Sequence, residues 1–300
     1  MAFSLDVKKE LSQIKNLANK EEVNYELMGY FISNNISCVD KKIKYSTENE
    51  YNIDRFSKLL KNINFNNFDI SVLGKSFIIT FREKDFFDVL EKKNINQFNL
   101  DMFSYLRYIF EKINSEKNIE LIKSFIRGVF LGSGSINNPE NTYHMEIYIK
   151  NREVLEKLFD IVQKYNLNLK KSEQFLYIKD GEEISKFLAF IGANKSVLKF
   201  EEIRVQKYMN NKVNRLVNCK TANLNKVLNA SIEQIDAINK LKKNGKFEKL
   251  DESLKEIANL RIDYPDLSLI ELGQKLKSPL GKSGVNYRMK KIIQISKIYW

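Results

Sequence analysis

The residues in this sequence that are best suited to chemistry are polar and basic side chains close to the C-terminus. Ser283, Asn286, Tyr287 and Lys290 are spaced three and four residues apart, so on a helix they share one face. An asparagine on such a face can form paired hydrogen bonds with adenine in the major groove, a contact worth about 1 to 3 kcal/mol of discrimination between bases. The pattern therefore indicates recognition of double-stranded DNA.

Basic residues within the same stretch suggest contacts of a second kind. Lys282, Arg288, Lys290 and Lys291 all lie within ten residues of one another. Lys and Arg side chains bind the phosphate backbone, which positions a protein on DNA without reading its sequence. We therefore assign these four residues to phosphate contacts.

Two predicted helices precede this stretch. The first spans 252–262 and ends before Tyr264-Pro265, because the residue before a proline is driven out of the helical region. The second begins at Ser268, which has the spacing of a capping box with Glu271, and runs to Leu276.

The third predicted helix carries the polar face. Ser283 is expected to cap it, and its buried stripe consists of Val285, Met289 and Ile292. Three helices in this order predict a helix-turn-helix domain over 248–300. A three-helix bundle that packs against another protein is the competing interpretation, but such a bundle would not need a basic face on its last helix.

Positive charge is concentrated in the last third of the chain. Residues 206–300 hold 19 Lys and Arg against 9 Asp and Glu, a net +10, whereas residues 1–205 hold 31 against 29, a net +2. A uniformly lysine-rich protein would spread the excess evenly. The asymmetry is typical of a module that binds a polyanion, because each Lys or Arg that contacts a phosphate releases condensed counterions.

Candidates for catalysis or metal binding are few. Cys38 and Cys219 are far apart and have no CxxC partner, so the sequence predicts neither a disulfide nor a thiolate zinc site, and both cysteines are expected in the core. His144, the single histidine, lies in strand-like sequence, where a packed or surface imidazole is expected rather than a catalytic base. We therefore predict no enzyme activity, no metal and no cofactor.

The N-terminal two thirds contain a repeat with a period of about one hundred residues. Its clearest copies are two apolar helical stretches in which small residues fall four apart, Gly29 with Ser33 and Gly128 with Gly132. That spacing puts each pair on one helical face. Because faces without large side chains let two backbones nearly touch, we expect the repeat helices to cross closely at a pseudo-twofold axis.

Each half of this region has the same predicted order of elements, αββαββα. The halves span about 1–98 and 118–205, and a helix over 99–117 connects them. In the first half, Gly74 supplies the permissive backbone that a hairpin turn needs. The expected fold class is α+β, with a duplicated domain over 1–205 followed by the all-helical domain.

A polar helical bridge is expected over 206–247, built from two helices over 203–216 and 221–241. Arg215 and Asn218 are its candidate DNA-binding residues. The many amides of this segment could contact DNA, or they could cap the segment and tie it to both domains. The sequence favours neither interpretation.

Four stretches resemble the WhiA family of bacterial regulators, which are linked to sporulation, cell division and chromosome segregation. The stretches are 125–135, 143–147, 214–226 and 282–286, and the resemblance extends over essentially the whole chain. It implies a LAGLIDADG homing-endonuclease fold followed by a C-terminal helix-turn-helix similar to sigma-factor region 4.

The resemblance also raises the hypothesis of a metal-dependent nuclease. In active LAGLIDADG nucleases, an acidic residue at the end of each repeat helix holds the divalent metals that activate water. The motif puts Asn34 and Ser133 at these positions, and both are neutral. Neutral side chains supply no charge to offset the dehydration of Mg²⁺, so the resemblance implies that cleavage is lost.

The sequence thus predicts a DNA-binding regulator without nuclease activity, either a transcription factor or a chromosome-associated protein in cell division and chromosome segregation. The alternative is a residual metal-dependent homing-type endonuclease; an RNA-binding module is disfavoured because the basic region has no aromatic stacking platform. Double-stranded DNA is the expected partner, with transcription or cell-division proteins as further candidates and no small-molecule substrate evident. Charges interrupt the apolar pattern of the N-terminus, which predicts a cytoplasmic, nucleoid-associated protein without a signal peptide or membrane span.

Overall fold

The computed structural model describes residues 2–33, 35–91 and 101–298. The chain divides into two units, Met1–Lys207 (unit 1) and Tyr208–Trp300 (unit 2). None of the helices in the described ranges combines the length and the apolar character that a membrane span requires.

Unit 1 contains two copies of the order αββαββα, as the sequence predicts. The first copy consists of α2 (Lys20–Phe31), β1 (Ile36–Val39), β2 (Lys42–Thr47), α3 (Glu50–Asn62), β3 (Asp69–Leu73), β4 (Ser76–Arg82) and α4 (Glu83–Glu91). The second consists of α6 (Ile119–Ser133), β5 (Gly134–Ile136), β6 (Met145–Tyr148), α7 (Arg152–Lys164), β7 (Lys170–Lys171), β8 (Phe175–Ile178) and α8 (Gly181–Ile191). Helix α1 (Ala2–Ser12) precedes the first copy, and α5 (Met102–Ser115) connects the two.

The strands of each copy form an antiparallel sheet with the same topology. The order is β1-β2-β4-β3 in the first sheet and β5-β6-β8-β7 in the second. Ile43 lies opposite Phe81 in one sheet and Ile147 opposite Leu176 in the other, and all four side chains are buried. One face of each sheet therefore contributes to the apolar core of unit 1. The turn between β3 and β4 contains Gly74 at φ +60°, as predicted.

The two repeat helices, α2 and α6, cross at very short range. A Cβ atom on Gly29 would overlap backbone atoms of α6, and one on Gly128 would overlap the backbone of Glu26 in α2. A Cβ atom on Gly132 would overlap the side chain of Ser33. The close crossing predicted from the spacing of small residues is therefore confirmed.

A charged cluster that sequence reasoning missed lies inside unit 1. Glu26 is completely buried, and its carboxylate accepts from Arg55 Nε at 2.7 Å and from Arg127 Nε at 3.1 Å. Asn16 also contacts Glu26 and Arg55. Burial alone would raise the pKa of Glu26, but its hydrogen bonds and its attraction to the two guanidinium groups lower that pKa below the ordinary value.

The predicted pair of bridging helices is wrong, because one continuous helix, α9 (Asn194–Lys243), occupies that region. No Gly or Pro interrupts residues 194–243. The Asn-rich middle has low helix propensity but contains no true helix breaker, so the helix continues through it. It ends just before Gly245, which has a left-handed backbone at φ +64°.

Unit 2 packs three further helices around the C-terminal part of α9. They are α10 (Glu252–Asp263), α11 (Leu269–Gln274) and α12 (Lys282–Ile298). Ser268 and Glu271 form the predicted capping box at the start of α11. Helix α11 ends two residues earlier than predicted, although Leu276 remains buried.

The predicted cap at Ser283 is wrong. Helix α12 already begins at Lys282, and the Val285 N–H donates to the Gly281 carbonyl at 3.2 Å. The backbone of Gly281 thus starts the helix without a side-chain cap, and Ser283 lies in the first turn.

Candidate nucleic-acid interface

One side of α12 holds this helix against the rest of unit 2. Val285, Met289 and Ile292 are each at most 1% exposed, and they pack in the apolar core that α10 and α11 also line. The predicted buried stripe is therefore confirmed. Because this stripe fixes the rotation of α12, it also determines which side chains face solvent.

The opposite side of α12 brings together most of the predicted base-reading residues. Ser283, Tyr287 and Lys290 are exposed, with Tyr287 70% exposed, whereas Asn286 lies at the edge of this face and is half-buried. Gln294, which sequence reasoning missed, is exposed one turn after Lys290. The resulting surface offers hydrogen-bond donors and acceptors along two turns of one helix.

The predicted phosphate-binding residues fall into two groups. Lys282 and Lys290 are exposed at the N-terminal half of α12. Arg288 is half-buried and its Nη1 donates to the Ser253 carbonyl at 3.3 Å, while Lys291 lies 3.5 Å from the Asp251 carboxylate. Arg288 and Lys291 therefore contact the start of α10, and an exposed pair such as Lys291 with Asp251 contributes less than about 1 kcal/mol.

The middle of α9 forms a long exposed and basic stretch. Every residue from 208 to 226 is exposed, and the longer segment 203–232 contains six Lys and Arg but no Asp or Glu. Arg215 and Asn218 lie one turn apart in it. Neither makes a hydrogen bond or ion pair with any residue in the described ranges.

The positions that would hold nuclease metals lack the necessary charge. Asn34 lies outside the described residues. Ser133 ends α6, and its hydroxyl donates to the Val129 carbonyl at 3.4 Å. The neighbouring carbonyls of Leu131 and Gly132 accept from the amides of Asn52 and Asn35.

These two carbonyls at the end of α6 are therefore already engaged by neutral amides. In the described part of the chain, no group of three or more His, Cys, Asp and Glu side chains could hold a metal ion. Ser133, at the end of α6, is neutral and therefore does not supply the carboxylate ligand that a hard divalent cation prefers.

The cysteines and the histidine have ordinary environments. Cys38 is half-buried beside the core of unit 1, but Cys219 is exposed on α9, so its predicted burial is wrong. Cys219 shares this exposure with every residue from 208 to 226 of α9. His144 is partly exposed, and its Nε2 lies 3.0 Å from the Glu146 carboxylate.

Arg261 is a structural residue that sequence reasoning missed. It is 1% exposed, and its Nη1 donates to the carbonyls of Pro265 at 3.2 Å and Leu267 at 2.7 Å, which fixes the turn between α10 and α11. Burial lowers its pKa. Its spacing in the sequence, four residues after Ile257, could have indicated that Arg261 lies on the buried stripe of α10.

Comparison with known proteins identifies both units. Residues 213–296 match the WhiA C-terminal HTH domain, and residues 122–210 match the WhiA LAGLIDADG-like domain. A probable cell division protein WhiA from Clostridium tetani is 37% identical over 99% of this chain and 97% of its own length. The same protein from Thermoanaerobacter sp. is 50% identical over 60% of this chain and 58% of its own length.

A solved structure has the same architecture. The crystal structure of full-length DUF199/WhiA from Thermatoga maritima matches with a TM-score of 0.56 and 29% sequence identity, and the match covers 98% of both chains. The α+β fold, with a duplicated LAGLIDADG-like domain and a helical helix-turn-helix domain, is thus confirmed.

Proposed function

The chain belongs to the WhiA family, and we propose that it is a DNA-binding regulator without nuclease activity. Its relatives carry the name probable cell division protein. We therefore assign its DNA binding to cell division and chromosome segregation, as a transcription factor or a chromosome-associated protein that works in the cytoplasm at the nucleoid.

The observation that carries this proposal is the exposed face of α12. Ser283, Tyr287 and Lys290 face solvent directly opposite the buried stripe, and Asn286 borders them. The last helix of a helix-turn-helix contacts base edges through residues near its N-terminus. Ser283, Asn286 and Tyr287 lie there, so we assign base recognition to these three side chains and the strongest discrimination to the Asn286 amide.

Phosphate binding is assigned to exposed cations on two helices. Lys282 and Lys290 border the recognition face of α12, and Arg215 lies in the acid-free stretch of α9. Because this stretch of α9 has no carboxylates, a phosphate backbone can approach it without repulsion between like charges. Arg288 and Lys291 contribute less, because their side chains also contact the start of α10. To the nearly neutral unit 1 we assign either weak contacts with DNA or the recruitment of protein partners.

Footprinting of the full chain on genomic fragments tests the proposal. We expect protection of a small number of short sites, and loss of that preference in Asn286→Ala. Protection without any sequence preference in the wild-type protein would contradict the role of the α12 face.

The second candidate, a residual nuclease, is tested by incubating the full chain with supercoiled plasmid and Mg²⁺. The proposal expects the plasmid to remain intact, because Ser133 is neutral and lies beside amide donors. Nicking that is abolished by EDTA and persists through purification would favour the nuclease.

A further inference from the structure

A cleft of about 620 Å³ lies in unit 1 between α1 and strands from both sheets. This volume is within the usual range for small-molecule sites. Its lining is mostly polar, with hydroxyl and amide side chains from both repeats, including Ser46, Ser76, Ser135 and Asn137. All of its lining residues belong to unit 1, and the proposed function assigns no role to any of them.

Lys8 is the cationic side chain of this cleft. Burial lowers its pKa to about 8, and its amine forms no hydrogen bond or ion pair with any other residue that the structure describes. An ammonium group withdrawn from water is costly unless an anion compensates it. Such an uncompensated amine in a cleft is typical of a group that binds a ligand.

Asn49 also lines the cleft and carries a second donor without a partner. Its Oδ1 caps α3 by accepting from the backbone N–H groups of Tyr51 at 2.9 Å and Asn52 at 3.2 Å. The residue is only 7% exposed, and its Nδ2 is buried without a partner among the described residues. Buried amide donors are normally paired, so this one also indicates an absent acceptor.

We propose that this cleft binds a small molecule through a phosphate or carboxylate group, held by the Lys8 ammonium and the Asn49 amide. Both side chains line the cleft, and neither donor has a partner among the described residues. Glu48, the other charged side chain of the cleft, is exposed beside Asn49. Its charge disfavours a polyanion, and unit 1 has little net positive charge, so a small ligand fits better than a DNA backbone.

Calorimetric titration of the full chain with inorganic phosphate at pH 7 tests the proposal. Lys8→Met removes the ammonium and retains an apolar stem, and Asn49→Asp retains the cap on α3 but replaces the amide donor with a carboxylate. Each variant is expected to bind phosphate about tenfold more weakly or worse. Lys9→Met is the matched control, because Lys9 follows on the same helix and does not line the cleft. It should bind phosphate like the wild-type protein.

The affinity for sulfate provides a second measurement, because sulfate keeps its charge near neutral pH. Binding should weaken between pH 7 and 9 as Lys8 loses its proton, and Lys8→Met should remove this pH dependence. Equal phosphate affinity in the wild-type protein and both cleft variants overturns the proposal. A loss of duplex DNA affinity in Lys8→Met and Asn49→Asp, without phosphate binding by the wild-type protein, also overturns it, because the donors would then serve the DNA backbone.

Discussion

Gly128 of α6 lies so close to Glu26 of α2 that a methyl group on its Cα would overlap the Glu26 carbonyl oxygen. Gly29 has the same relationship with the backbone of Phe125. The two repeats of unit 1 are therefore joined through backbone contact at glycines, and the crossing cannot admit a side chain without moving a helix.

Gly128→Ala is expected to destabilise the protein by about 3 kcal/mol, because the added Cβ meets backbone atoms that cannot rotate away. Urea unfolding followed by circular dichroism measures the change. Gly284→Ala in α12 is the control, since only side-chain atoms of Leu280 lie near its Cβ, at 3.5 Å or more. It should be neutral or stabilising by up to about 1 kcal/mol. Equal unfolding midpoints for Gly128→Ala and wild type would disprove the close crossing.

Glu26→Gln should destabilise unit 1 by about 3 to 5 kcal/mol at pH 7, because two buried guanidinium groups lose their counterion. The folded-state pKa of Glu26 is depressed, so its ionisation stabilises the fold above the unfolded-state pKa of about 4.3. That contribution is lost as the pH falls through the folded-state value. The urea midpoint of the wild-type protein should therefore fall more steeply in acid than that of Glu26→Gln.

Glu120→Gln is the control for this experiment, because Glu120 is 61% exposed and pairs with Lys123 on the same helix. Its effect at pH 7 should be below about 0.5 kcal/mol. If Glu26→Gln and Glu120→Gln gave the same acid profile, the charged cluster would have no special role in stability.

Local patterns in the sequence were sufficient for most of the fold. The spacing of Gly29, Gly128 and Gly132 predicted a helix crossing, and Ser268 with Glu271 predicted a helix start, because both patterns depend on residues within one or two turns. The cluster around Glu26 joins residues 29 and 101 positions apart, so only the three-dimensional structure reveals it. The predicted division of α9 into two helices was wrong, because the stretch between them contains no Gly or Pro that would end a helix.

The candidate interface was predictable to a similar degree. Helical periodicity correctly put Ser283, Tyr287 and Lys290 on a face opposite the buried stripe. It could not show that Arg288 and Lys291 reach the start of α10, because that contact depends on how two helices pack. Periodicity also put Asn286 fully on the face, whereas packing leaves it half-buried at the edge.

Asn286→Ala is expected to lower discrimination between cognate and altered DNA sites by about 1 to 3 kcal/mol, because its amide lies near the N-terminus of α12 and is suited to paired bonds with adenine. Competition binding with a cognate duplex and single-base variants measures this. Affinity for random duplex should change little. A uniform loss of affinity for every sequence would show that Asn286 contacts the backbone and not a base.

Lys290→Ala should weaken binding to all duplexes and reduce the slope of log affinity against log salt by about one unit, because one phosphate contact is lost. Fluorescence anisotropy over a series of salt concentrations gives the slope. Lys297→Ala makes the same charge change at the far end of α12, where Lys297 is also exposed. An equal slope change in both variants would mean that total charge, and not the position of Lys290, controls binding.

Arg215→Ala separates the two interpretations of the α9 stretch. Its side chain is exposed and forms no hydrogen bond or ion pair with a described residue, so the free energy of unfolding from urea titration should stay within about 0.5 kcal/mol of wild type. If Arg215 binds phosphate, duplex affinity falls and the salt slope decreases by about one unit. Arg152→Ala, at an equally exposed site in the nearly neutral unit 1, should change neither quantity. Reduced stability with unchanged DNA affinity would instead assign Arg215 a purely structural role.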